Sequence, residues 1–250
     1  MNEKTPLIRL AKREDMPKAK IWMIRAAAFA IAIILGGIIF LIAGANPFTA
    51  YGTILTSSLG KSTGLKQVVK IAVPLLGTAL ALAPCFAMRF WNIGGEGQIT
   101  MGAVAASFFA LNFATSIPSP ILLLLMGIFS MVFGAIWAGI PAAFKARWGT
   151  NETLFTLMMN YIAIGIVGWL QGGPWEGKPG SQIIPLFNPA AVLPKVFGIH
   201  CGWILVLFLT AFMFVYMNYT KHGYEIAVLG ESENTARYAG MNVTKVTMRT

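Results

Sequence analysis

Apolar side chains in this chain come in blocks about twenty residues long, and that block length constrains the fold more than any single motif does. A helix needs about 20 mostly apolar residues to cross roughly 30 Å of hydrocarbon. Six segments meet the requirement, at 21–43, 67–88, 97–113, 121–144, 153–170 and 202–219. The breaks between them fall where helices end: Asn46-Pro47-Phe48, Ser116 to Pro120, Gly172 to Trp175, and the charged stretch from Lys221 onward. The expected fold class is therefore all-α, a polytopic helical membrane protein with about six transmembrane helices. Only 11% of the residues are charged, against about 25% in an ordinary soluble domain, so a soluble fold is excluded.

The net charge of +10 would suggest nucleic acid in a soluble protein, but here its distribution decides. With the N-terminus inside, 14 basic residues fall on the inner side: Lys4, Arg9, Lys12, Arg13, Lys18, Lys20, Arg25, Arg89, Lys145, Arg147, Lys221, Arg237, Lys245 and Arg249. The outer side holds 5, Lys61, Lys66, Lys70, Lys178 and Lys195. That bias follows the positive-inside rule, with both termini cytoplasmic, and leaves no case for nucleic acid as a partner. The domain plan is a basic cytoplasmic tail at 1–20, a transmembrane domain at 21–219 and a cytoplasmic segment at 220–250. The tail is long and charged, and the apolar run after it exceeds a signal-peptide core, so a retained first helix is expected. Two outer loops are substantial, 44–66 and 171–201. The second is rich in proline and is either a docking surface or a stiff connector.

Several chemistries are missing. Gly60-Lys61-Ser62 looks like the end of a phosphate-binding loop, but that motif needs glycine where Leu55 stands. No ATP site is expected in this chain. One aspartate, Asp15, and two histidines, His200 and His222, do not assemble a metal site or a histidine-based triad. Cys85 and Cys201 lack any partner spacing and read as small apolar fillers. An enzyme is not expected.

Three stretches carry polar groups where apolar ones are the rule. In FWNIGGEGQIT, residues 90–100, Gly94, Gly95 and Gly97 are expected to break a helix, and irregular backbone at membrane depth survives only beside protein or a water-filled cavity. Asn92, Glu96 and Gln98 lie there. Glu96 either faces a cavity or a partner such as Arg89, or the two mark the inner surface. In the fifth segment Asn151 caps a helix that begins with Glu152, and Thr153, Thr156 and Asn160 form a polar stripe that lines a pathway or bonds a neighbouring helix. Small residues of the fourth segment, Gly134 with Ala138 and Ala135 with Gly139, are expected to pack against another helix. In residues 223–243, Ser232 caps a helix of roughly two turns that starts at Glu233, carries Arg237 and stops at Gly240. A helix that short needs a surface to pack on.

Four blocks in order, VPLLGTALALA at 73–83, WNIGGEGQ at 91–98, TNETLFTLMMNYIA at 150–163 and AVLGESENTARYAGMNV at 227–243, make the chain resemble the permease subunit of ATP-binding-cassette importers for nucleosides and simple sugars. That family belongs to the wider group of ribose and branched-chain amino-acid permeases. The resemblance implies cytosolic ATPase subunits that bind ATP and Mg, no cofactor on this chain, a second permease subunit of the same or a homologous kind, and an extracytoplasmic substrate-binding lipoprotein. It implies a bacterial plasma membrane. It carries the ATPase-coupling role to Gly230, Glu231, Glu233, Asn234, Arg237, Tyr238 and Gly240, and the pathway to Asn92, Glu96, Gln98, Thr156 and Asn160. The forms of the second and third blocks resemble the nucleoside branch most. Family members continue for several more helices, so the chain is expected to be truncated or a shortened relative. The alternative is a stand-alone ion-coupled transporter or channel, for which the chain offers only Glu96 as a buried ionisable group and no internal repeat.

Overall fold

A computed structural model describes residues 17–250. The positions of Lys4, Arg9, Lys12, Arg13 and Asp15, and most of the expected tail, lie outside the described residues. Ten helices are seen among those residues: α1 (Lys18–Ile42), α2 (Pro47–Ser58), α3 (Ser62–Ala87), α4 (Gly95–Asn112), α5 (Ser119–Trp148), α6 (Glu152–Gln171), α7 (Gly202–Tyr219), α8 (Lys221–Glu231), α9 (Glu233–Tyr238) and α10 (Val243–Arg249). A 3-10 turn at Pro189–Ala191 and a two-stranded antiparallel hairpin, β1 (Lys195–Val196) and β2 (Ile199–His200), interrupt an otherwise helical chain.

Contacts divide the chain at Leu65 and Lys66 into two compact units. In the first, α1 ends with its Gly44 left-handed at φ 76° and the amides of Gly44 and Ala45 returned to Leu41 and Phe40. This cap lets the chain turn at once into α2. Asn46 caps α2 by accepting from the amide of Phe48 at 2.9 Å, and Pro47 occupies its first position. Tyr51 donates to the carbonyl of Ile33 at 2.7 Å and meets Phe40 edge-on, holding α2 against α1. The expected loop at 44–66 is thus largely helical. The polar residues Thr49, Thr53, Thr56 and Ser57 and the 12-residue length of α2 make that helix too short and too polar to look like a span.

In the second unit α4 runs between α5 and α6, burying Gly95, Gly97, Met101, Gly102, Ala105 and Ala110. Gly102 sits so close to α5 that a Cβ there would lie 2.9 Å from Ser130 Oγ. At one end of α4, Ala110 packs with Leu122 and Ala191, and Ser119 Oγ donates to the Ala190 carbonyl at 2.7 Å, fixing the 171–201 loop to the α4–α5 turn. At the other end, Cys85, Met88, Phe90, Ile226 and Val246 form a cluster that joins the end of α3 to α8 and α10.

Among the described residues five helices are long and apolar enough to cross a membrane: α1, α3, α5, α6 and α7. Helices stand at all six expected positions, but α4 does not reach that standard. Flanked by protein on two sides, it carries Glu96, Gln98, Thr100, Ser107 and Asn112 where a lipid-facing helix would carry apolar side chains. Of the small residues expected to pack on α5, Gly134 approaches the Gln98 carbonyl, whereas Gly139 has no neighbour within 4 Å of where its Cβ would be.

Candidate functional site

The site begins where α3 stops. Arg89 and Phe90 return their amides to the carbonyls of Phe86 and Cys85, the paired bonds of a Schellman cap, and Arg89 takes the left-handed position at φ 59° that glycine usually fills. Residues 88–94 then run irregularly until α4 starts at Gly95.

Backbone without a helix leaves donors and acceptors that must be paired when buried. Asn92, itself buried, accepts from the amide of Gly94 at 2.9 Å and from the side chain of Gln98 at 3.2 Å. Two α6 residues supply the rest. Thr156 Oγ1 accepts from the amide of Ile93 at 3.1 Å, and Asn160 accepts from the amide of Gly97 at 2.8 Å while donating to the carbonyl of Ile93 at 3.0 Å. The polar stripe on α6 therefore stitches the turn, and Asn151 caps that helix by accepting from the amide of Leu154. The glycines act differently from expectation. Gly95 and Gly97 lie inside the first turn of α4 and permit close approach: a Cβ on Gly97 would stand 2.8 Å from Asn160 Oδ1, and one on Gly95 3.0 Å from Leu82 Cδ1.

Asn92 and Gln98 border a cavity of about 570 Å³ between α3, α4 and α5, whose wall also includes Thr78, Cys85, Ser130 and Thr247. Thr156 and Asn160 face the turn instead. Glu96 is exposed, and no ion pair joins it to Arg89 or to any other described residue. So four of the five expected pathway residues come together, two on the cavity and two behind it, and Glu96 stands apart.

A second concavity, about 480 Å³, lies where α8 and α9 meet the end of α3 and the α5–α6 corner. Arg89, Lys145, Glu152, Glu231, Glu233 and Arg237 give it three charges of each sign. Lys145 and Glu152 pair at 2.8 Å across the corner, whose Gly149 is left-handed at φ 65°. Ser232 caps α9 by accepting from the amide of Thr235 at 3.3 Å, Arg237 pairs with Glu233 at 2.7 Å, and Gly240 turns the chain at φ 76°. Glu231, Glu233, Asn234, Arg237 and Tyr238 are exposed, Tyr238 at 93%. Gly230 is buried, with its α-carbon so near the Ala87 carbonyl that any Cβ would overlap it. Sequence reasoning missed α8, α10 and the Lys145–Glu152 pair. Thr247 of α10 borders both concavities.

A family model described as "Branched-chain amino acid transport system / permease component" matches residues 64–250. The chain belongs to this permease family. It is a multi-pass membrane component and not itself catalytic. Relatives include the glucose ABC transporter permease protein TsgB13 of Haloferax volcanii, 32% identical over 225 residues covering 84% of this chain and 59% of that protein. The nucleoside ABC transporter permease protein NupB of Lactococcus lactis is 28% identical over 227 residues, 86% of this chain and 62% of its own length. The guanosine ABC transporter permease protein NupP of Bacillus subtilis is 29% identical over 225 residues, with 86% and 64% covered. This permease chain thus matches about three fifths of the length of these relatives. No solved structure matches it.

Proposed function

We propose that the chain is a membrane-spanning subunit of an ATP-binding-cassette importer in a prokaryotic plasma membrane, bacterial by the resemblance of its motifs, and that it passes a nucleoside or a related simple sugar. Both termini face the cytoplasm. Residues 21–219 form the membrane domain and 220–250 the segment that couples it to ATP hydrolysis. The ATP and Mg belong to a separate cytosolic ATPase. A second permease subunit completes the pathway, and an extracytoplasmic lipoprotein delivers the solute.

What carries this reading is the position of α8–α10. That segment presents an exposed, charged surface on one side, while on the other its Gly230 and Thr247 lie against the end of α3 and the cavity. A push on the outer side of α9 therefore has a packed route to Asn92 and Gln98. Those two carboxamides, with the hydroxyls of Thr78, Ser130 and Thr247, are polar groups that a hydroxyl-bearing solute would meet in a mostly apolar wall, as binding sites for neutral ligands usually are. Nucleoside is preferred to sugar because relatives named for nucleoside and guanosine transport agree with the forms of the second and third motif blocks.

The test is co-purification in mild detergent of the wild type and of the Glu231→Lys, Glu233→Lys double variant. Both side chains are exposed, so the fold should survive the change. An ATPase subunit that accompanies the wild type and is lost from the variant is the expected outcome. Equal recovery with both would move the coupling surface elsewhere, and uptake that survives ATP depletion but collapses with an ion gradient would replace this function with a self-contained transporter.

A further inference from the structure

The hairpin that precedes α7 turns through Phe197 and Gly198, both left-handed, at φ 56° and 80°. A two-residue turn of that kind favours asparagine followed by glycine, because only small or polar residues accept the first position cheaply. Phenylalanine there is strained, and strain of this sort persists where the surroundings or a function hold it. Nothing in the described chain repays it by burial: Phe197 is 83% exposed, with only the tilted ring of Trp203 6.5 Å away.

The length of α7 says what lies beside that ring. Its 18 residues give about 27 Å at 1.5 Å per residue, slightly less than the roughly 30 Å of a bilayer's hydrocarbon. Both ends of α7 must then sit at the lipid boundary, and the hairpin is joined to one end through Cys201 alone. At the far end of α7 the exposed Tyr219 agrees, since a ring with a polar tip suits a membrane interface. The ammonium end of Lys66 lies against Gly198, its Nζ 2.8 Å from where a Cβ would stand, and Lys195 is exposed on β1. Two ammonium groups so near the turn suit a layer of phosphates.

We propose that the 195–200 hairpin is a lipid anchor: Phe197 enters the boundary between headgroups and acyl chains, and Lys66 and Lys195 meet anionic headgroups. The surface is continuous with the apolar side of α7, whose Leu205, Leu207 and Phe208 are exposed in the chain. It needs no solute and no partner protein.

A spin label at Phe197→Cys, with Cys85→Ala and Cys201→Ala, should be read in vesicles of phosphatidylcholine and phosphatidylglycerol, with Lys178→Cys as a control in the same loop. The label at 197 is expected to be several-fold more accessible to oxygen, relative to a water-soluble nickel chelate, than the label at 178. As a second probe that keeps an aromatic ring, benzoylphenylalanine placed at 197 should cross-link to lipid on illumination in cells. Equal nickel access at the two positions, or cross-links to protein in place of lipid, would overturn the anchor, the latter in favour of a docking protein.

Discussion

Asn160 answers for two backbone groups that no helix can pair, the amide of Gly97 and the carbonyl of Ile93. Asn160→Ala would leave the buried amide of Gly97 without a partner, at about 1–3 kcal/mol, and would remove the part-buried bond to the Ile93 carbonyl as well. Thermal unfolding in detergent should show a clear loss of stability, accompanied by loss of uptake; an unchanged midpoint would mean that the turn does not depend on α6. The polar character of this position was legible in the sequence as a stripe with Thr156, but whether the stripe faced solute or protein was not. Spacing along a helix fixes a face, and only the fold decides what that face meets. The same holds for Gly95 and Gly97, whose cluster reads equally well as a break or as a close contact. Arg89 gave no signal at all, since glycine is the residue expected in its left-handed cap.

Helix ends were more legible than helix partners. Asn151 before α6 and Ser232 before α9 cap as their sequence positions require, because capping is a contact within three residues. Helices α2, α8 and α10 escaped because a search for spans of about 20 apolar residues passes over elements of 12, 11 and 7 residues. Their stability comes from packing that no local pattern reports. For α8 that packing is measurable. Gly230→Ala would force a methyl group onto the Ala87 carbonyl, and such overpacking typically costs about 1–3 kcal/mol. Hydrogen exchange should then speed up across 221–249, while the exposed control Thr235→Ala leaves it unchanged. Uniform protection in Gly230→Ala would show that α8 is not seated on α3.

On the scale of the whole molecule, the proposed orientation makes a direct prediction about which end faces which compartment. The orientation proposed from the charge count has Lys178 outside and Tyr238 inside. Single cysteines at those two positions, in a background without Cys85 and Cys201, should react with an impermeant maleimide in opposite ways: Lys178→Cys in intact cells, and Tyr238→Cys only after permeabilisation. The reverse pattern would invert the molecule and remove α9 from the cytosol. The enclosure of α4 has a bearing on how the chain is made. Synthesis delivers α4 to the membrane before α5 and α6, the two helices that bury it. Because α4 is less apolar than the five candidate spans, its burial is completed only after α5 and α6 have been made, so the order of the genetic message sets the order of assembly.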